Sequence, residues 1–191
     1  MKTRHFILAA LALLCSTTLL TACGGDDDNG NPPAADNTRA YVAMSHYTQL
    51  TADMLKYCKV VLTTVNGEGT VNTHVVTDAD IKNGYFITTF AGKLPCELKV
   101  TRTVTLLDEN VDASTITSLE YYRTSNYIAY YFFNANKQPI TNDGVETGST
   151  QLSTVKGTTE KAIKGFFDLV KAGSYNTTLT FVFDKDGKVI N

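Results

Sequence analysis

Apolar and polar residues alternate along several short segments of the chain, which is typical of β-strands with one buried face. The clearest alternation covers residues 97–108, where the threonines and Lys99 occupy the positions between the apolar ones. Residues 84–92 and 176–183 are further strand segments of similar composition. The side chains predicted to face the core in the first segment are Leu98, Val100, Val104 and Leu106.

A β-hairpin is predicted between residues 54 and 76. Two runs rich in valine and threonine flank the turn sequence NGEG at residues 66–69, whose residue types accept a positive φ. Cys58, Val60 and Leu62 would share one face, with Lys59 on the other. Apolar residues from Leu50 to Val65 also recur at helical spacing, so a helix over this segment is the competing interpretation. The β-branched residues and the turn favour the hairpin, and a short helix can precede it.

Residues 127–133 are apolar at both alternating sets of positions, which predicts a central strand covered on both faces. Residues 158–173 carry an apolar stripe at helical spacing. Thr158 can cap the start of this helix and Gly173 can end it. We therefore expect the helix to pack against the sheet that contains residues 127–133. The stripe consists of Ala162, Ile163, Phe166, Phe167 and Val170.

Many short strands and one late helix predict a mainly β fold: a two-layer β-sandwich, immunoglobulin- or transthyretin-like, with one α-helix of the C-terminal half packed on a sheet. Residues 41–191 are predicted to form a single β-rich domain. The formal charge of −2 over 191 residues provides no basic surface for nucleic acid, so nucleic-acid binding is not expected.

The N-terminus has the composition of a processing signal. Lys2 and Arg4 precede the apolar run of residues 6–14, and the sequence LTAC follows at residues 20–23. This order resembles the lipobox of bacterial lipoproteins. The resemblance implies removal of residues 1–22 as a signal peptide and lipidation of Cys23, with residues 23–40 as a flexible tether. The membrane would then be a partner through the lipid anchor, since each CH₂ of an acyl chain that is buried in the bilayer adds about 0.8 kcal/mol to the free energy of membrane binding.

Three consecutive aspartates follow the lipobox cysteine, at residues 26–28. Such a cluster resembles the export signal of Bacteroidota surface lipoproteins, and the order of segments along the mature chain is similar to that of small uncharacterised members of this group. The resemblance implies an outer-membrane lipoprotein that faces the cell exterior, with the periplasmic leaflet as the alternative. It implies no activity.

Cys58 and Cys96 are the two cysteines that remain after processing, because Cys15 leaves with the signal peptide and Cys23 carries lipid. A disulfide between them is a candidate outside the cytoplasm. A loop of that size would contribute about 4 kcal/mol in the chain-entropy model. Two buried free thiols are the alternative.

The sequence predicts no catalytic residue, no metal site and no cofactor. His46 and His74 lie on different segments, and the sequence DKDG at residues 184–187 is interpreted as a hairpin turn. Tyr121 and Tyr122 are the candidate ligand contacts, because a tyrosine offers a flat ring and a polar tip; burial in the sheet core is the alternative. We expect a non-enzymatic protein that binds a glycan or a protein. A structural or assembly subunit of an outer-membrane complex is the second hypothesis, and a hydrolytic enzyme ranks below both.

Overall fold

The computed structural model describes residues 37–122, 126–148 and 154–190. In chain order the elements are β1 (Tyr41–Gln49), α1 (Ala52–Tyr57), β2 (Cys58–Val65), β3 (Val71–Val75), β4 (Tyr85–Lys93), β5 (Cys96–Leu106), β6 (Leu119–Tyr122), β7 (Asn126–Phe133), β8 (Pro139–Gly148), β9 (Thr154–Gly157), α2 (Glu160–Lys171) and β10 (Thr177–Phe183). Short 3-10 turns cover Asp78–Asp80 and Ala113–Thr115.

Two antiparallel four-stranded sheets make up the sandwich. The front sheet has the strand order β4-β1-β7-β8, and the back sheet has the order β10-β5-β2-β3. Strands β6 and β9 pair separately. The mainly β sandwich with a helix in the C-terminal half is therefore confirmed, as is the hairpin of β2 and β3 across residues 66–70.

The alternation in β5 places its apolar residues in the core, as predicted. Leu98, Val100 and Val104 are buried, and one hydrophobic core includes residues of both sheets and of α2. Arg102 occupies the same inward row at 4% exposure, and its Nε donates to the backbone oxygen of Tyr175 at 2.8 Å. Burial lowers the pKa of this guanidinium to about 10.

The sequence pattern did not predict β1, although this strand lies between β4 and β7 in the front sheet. Eight of its nine residues are buried. Polar side chains occupy buried positions on both of its faces, so the strand shows neither an apolar run nor an alternation. These polar residues are Ser45, His46, Thr48 and Gln49.

Helix α2 forms where it was predicted, but it covers a different sheet. Its N-cap is Thr159 rather than Thr158, and the Thr159 hydroxyl accepts from the Ala162 amide at 3.3 Å. The helix packs against β5, β9 and the 3-10 turn Ala113–Thr115, so the expected packing against the sheet containing β7 is wrong. Sheet-to-sheet packing covers the inner face of β7, where the rings of Tyr130 and Phe183 lie 5.3 Å apart. The helix instead packs its phenylalanines against Tyr121 of β6 and Tyr57 of α1. The buried helical residues are Ile163, Phe166, Phe167 and Val170.

Three hairpin turns at one end of the sandwich share the same geometry. In each turn a side-chain oxygen accepts from the backbone amides two and four residues later, and the residue at the fourth position has a positive φ. Residues 37–40 join the domain at this same end, where the Ala40 amide donates to the oxygen of Phe133 at 2.8 Å. The first residues of the turns are Asn66, Asn134 and Asp184, and the positive-φ residues are Gly69, Lys137 and Gly187.

No helix within the described ranges is long and apolar enough to span a membrane.

Candidate ligand-binding face

The two tyrosines predicted as ligand contacts lie on β6 and contribute to packing. Tyr122 is buried at 7% exposure, which corresponds to the alternative of burial in the core rather than to a ligand contact. Tyr121 is half-buried, with its ring centroid 4.6 Å from that of Phe166 in α2. Helix α2 therefore covers the side of β6 on which the Tyr121 ring lies.

The structure corrects the predicted disulfide, because Cys58 and Cys96 are both buried free thiols. Cys58 pairs with Leu106 at one end of β5, whereas Cys96 begins that strand at the other end. Ten residues of strand separate the two ends by about 33 Å, far more than the roughly 4–7 Å between Cα atoms that a disulfide requires. Burial raises the thiol pKa to about 12 for Cys58 and to about 11 for Cys96.

The lipidation prediction at Cys23 lies outside the described residues, as do the aspartates at positions 26–28. The two histidines occupy separate environments. His46 is fully buried, with its Nδ1 3.3 Å from the Thr48 hydroxyl. His74 is on β3, where its ring stacks on Phe86 with centroids 5.0 Å apart. In the described ranges, no group of three or more His, Cys, Asp or Glu side chains has metal-binding geometry.

A surface rich in tyrosine covers the outer face of the front sheet, and we call it the tyrosine face. Strand register assigns its members, because residues in the same row of neighbouring strands point to the same side. Its middle consists of small side chains, and tyrosine rings lie at both ends. Its members are Tyr41, Ala43, Ser45, Tyr47 and Gln49 of β1, Tyr85, Ile87, Thr89, Ala91 and Lys93 of β4, and Tyr127, Ala129, Tyr131 and Phe133 of β7.

Three of these tyrosines form a continuous row across β4, β1 and β7. The ring of Tyr47 is 5.9 Å from that of Tyr85 and 4.8 Å from that of Tyr127, and both pairs meet edge to face. Tyr47 is buried, while Tyr85 and Tyr127 are half-buried. The two outer rings therefore retain accessible surface on either side of a fixed central ring.

A cavity of about 380 Å³ adjoins this row at the β4 edge of the sheet. The outer faces of β1 and β4 form its floor. The segment between β3 and β4, which contains the 3-10 turn Asp78–Asp80, forms its wall. The residues around the cavity are Ser45, Tyr47, Ala79, Asp80, Lys82, Tyr85, Phe86, Ile87 and Thr89.

Polar groups in the cavity are held in place by one another. The hydroxyls of Ser45 and Thr89 are hydrogen-bonded across the strands at 3.1 Å. Gln49, which is buried beside the cavity, donates from Nε2 to the Tyr85 hydroxyl at 3.5 Å. A hydroxyl both donates and accepts, so the hydroxyls of Ser45, Thr89 and Tyr85 can also bond a polar ligand.

The carboxylate of Asp80 is fixed in the wall by three hydrogen bonds to its Oδ2. The donors are the Thr77 amide at 2.8 Å, the Thr77 hydroxyl at 2.7 Å and His74 Nε2 at 3.0 Å. The two bonds from Thr77 and the one from His74 lower the pKa of Asp80 to about 2. The carboxylate therefore stays ionised and in one orientation at neutral pH.

Sequence reasoning missed this face because β1 was not recognised as a strand. Once β1 is placed between β4 and β7, tyrosines from three separate segments become neighbours. The available signal was the spacing of Tyr41 and Tyr47, an even number of residues apart, which places both on one face of an extended strand. Comparisons with protein-family models, with curated proteins and with solved structures give no match.

Proposed function

We propose that the protein is a lipid-anchored lipoprotein of the outer membrane, displayed at the cell exterior, that binds a neutral glycan through the tyrosine face without chemical conversion. The anchor rests on the lipobox-like sequence ending at Cys23, and display at the exterior rests on the aspartates at residues 26–28. The binding role rests on the row of tyrosine rings beside the cavity.

The row of Tyr85, Tyr47 and Tyr127 is the observation that supports glycan binding most directly. Sugar rings have apolar C–H faces and hydroxyl edges, and tyrosine matches both with a flat ring and a polar tip. The hydroxyls of Ser45 and Thr89 lie beside the row in the cavity. Asp80 and Lys82 bring one charge of each sign to the cavity, which favours a ligand without net charge.

The position of the cavity suits a protein anchored through its N-terminus. Residues 37–40 join the domain at the start of β1, and Tyr47 lies six residues further along that strand. This separation is about 20 Å at the rise of an extended strand. An anchor at Cys23 would therefore hold the far end of the domain, and the cavity, away from the membrane.

Binding of the full-length protein, purified in detergent, to an array of neutral oligosaccharides tests the role. We expect binding that weakens about fivefold or more in Tyr85→Ala, because an aromatic contact contributes about 0.5–1.5 kcal/mol beyond its buried area. Tyr57→Ala is the matched control, since Tyr57 is also half-buried but packs on Phe167 away from this face. The absence of binding to every glycan by folded protein would refute the role.

Localisation is tested independently. We expect Cys23→Ala to release the protein from the membrane fraction, and globomycin, which blocks lipoprotein signal cleavage, to cause the precursor to accumulate. Protease added to intact cells should digest the mature protein. Full protection from protease in intact cells, with digestion after permeabilisation, would instead place the protein in the periplasmic leaflet.

A structural or assembly role is the second candidate, and the edge strand β3 favours it. All five residues of β3 are exposed, including Val71 at 60% and Val75 at 47%. An exposed edge offers unpaired backbone groups for strand addition. We expect Val75→Lys to abolish any chemical crosslinking of the protein to partners in intact cells if this role holds, and to leave glycan binding unchanged.

A further inference from the structure

The wall of the cavity bounds the tyrosine face on one side, at the edge strand β4. Strand β4 is the edge of the front sheet, and the wall that contains Ala79, Asp80 and Lys82 lies beside it. In the opposite direction the face continues across β1 and β7 to β8. At β8, Gly144 leaves room for the Tyr131 ring, because a Cβ at this position would collide with that ring.

A linear ligand that lies across the strands therefore meets the wall at β4. The cavity volume of about 380 Å³ is near the lower end of the roughly 300–1,000 Å³ typical of small-molecule sites. It suits a small terminal unit rather than the middle of a long chain. The rest of the ligand would lie over the half-buried ring of Tyr127, whose centroid is 4.8 Å from that of the buried Tyr47.

The polar groups of the cavity suit the hydroxyls of a sugar ring. The Asp80 carboxylate accepts hydrogen bonds, the Lys82 ammonium donates them, and the hydroxyls of Ser45 and Thr89 do both. All three hydrogen bonds that fix Asp80 go to Oδ2. Its Oδ1 is therefore the oxygen best placed to accept from a sugar, and the Tyr85 ring provides an apolar surface beside it.

We infer that the cavity recognises the terminal pyranose of a neutral glycan, so that the protein binds chain ends and not internal segments. This inference rests on the proposed function, because it assigns one part of the tyrosine face to the end of the ligand. Asp80, Lys82, Ser45 and Thr89 bond the terminal hydroxyls, and Tyr127 contacts the sugar unit that follows.

Arrays that display each neutral oligosaccharide in two orientations test the inference. Each probe is coupled once through its reducing end and once through its non-reducing end, and full-length protein in detergent is applied. We expect at least tenfold stronger binding in one orientation, because coupling blocks the recognised end in the other. Equal binding in both orientations would overturn end recognition but leave the proposed function standing. No binding in either orientation would overturn both.

Substitutions that remove a single hydroxyl from the cavity test whether the glycan binds there. Thr89→Val removes a hydroxyl that is 3.1 Å from Ser45 in the cavity, and we expect it to weaken binding about fivefold or more. Thr63→Val is the matched control, because Thr63 makes an equivalent cross-strand bond to Thr73 at 3.2 Å on the back sheet. Unchanged binding in Thr89→Val would overturn the assignment of the cavity. If that variant fails to fold by circular dichroism, Ser45→Ala takes its place with the same expected loss.

Discussion

Replacing Gly67 by alanine should destabilise the protein through a single backbone contact. Gly67 lies in the β2–β3 turn, against Gly92 of β4, and its amide donates to the Ala91 oxygen at 3.0 Å. A Cβ at this position would collide with the Cα of Gly92 and lie 3.0 Å from the Cys96 Cβ. Because the obstructing atom belongs to the backbone, a rotamer change cannot relieve the collision.

The magnitude follows from three contributions. Overpacking costs about 1–3 kcal/mol, and loss or weakening of the bond to Ala91 costs about 0.5–1.5 kcal/mol. The lower entropy of the unfolded chain offsets about 0.4–1 kcal/mol. The net expectation for Gly67→Ala is a loss of about 2 kcal/mol, which corresponds to about 4–8 °C in Tm for a protein of this size.

Guanidinium denaturation followed by circular dichroism measures this loss, with Gly165→Ala as the control. Gly165 lies within α2, and a Cβ there would meet no atom within 4 Å beyond the helix's own backbone. The control should gain about 0.5–1 kcal/mol, because alanine is the better helix former. A Gly67→Ala variant as stable as the wild type would refute the close packing of the β2–β3 turn against β4.

Three further measurements test other parts of the structure. Gly69→Ala should lower the free energy of unfolding by about 1 kcal/mol, through its φ of +79° alone. Gly69→Asn should recover part of that loss, since asparagine tolerates this conformation. Equal stability of both variants and the wild type in chemical denaturation would contradict the assigned turn. Iodoacetamide applied to denatured, unreduced protein should label both Cys58 and Cys96 in peptide mass mapping, and a disulfide-linked peptide pair would contradict the register of β2 and β5. Asp80→Asn should lower stability at neutral pH, because the folded state lowers the pKa of this carboxyl from 3.8 to about 2. That contribution is fully present above pH 3.8 and is lost as the pH falls towards 2; urea titrations in which the difference from wild type stays constant down to pH 2 would contradict it.

Strands with one buried face could be predicted from the sequence because their apolar residues alternate, as in β5. Strand β1 could not, because its buried positions include Ser45 and His46, whose polar groups find partners only in the folded protein. The helix was predicted from its apolar stripe, but the sheet that it covers was not. A stripe shows that a helix is buried on one side without identifying the surface against which it packs.

Gly67 and Gly69 show a related limit of prediction from the sequence. The sequence explains both glycines of the NGEG turn by their freedom to adopt positive φ. In the structure Gly69 has this conformation, whereas Gly67 is required by the approach of another strand that is distant in sequence. The tyrosine face was missed for the same reason. Its rings come from three segments, and strand order, which the sequence does not specify, makes them neighbours.

A crystal structure of the full-length protein with a glycan selected from the array tests the central proposal most directly. We predict a sugar ring against Tyr85 and Tyr47, with its hydroxyls bonded to Asp80 and Thr89 in the cavity. A glycan bound to the back sheet, or to any surface that does not include the tyrosine face, would contradict the proposal.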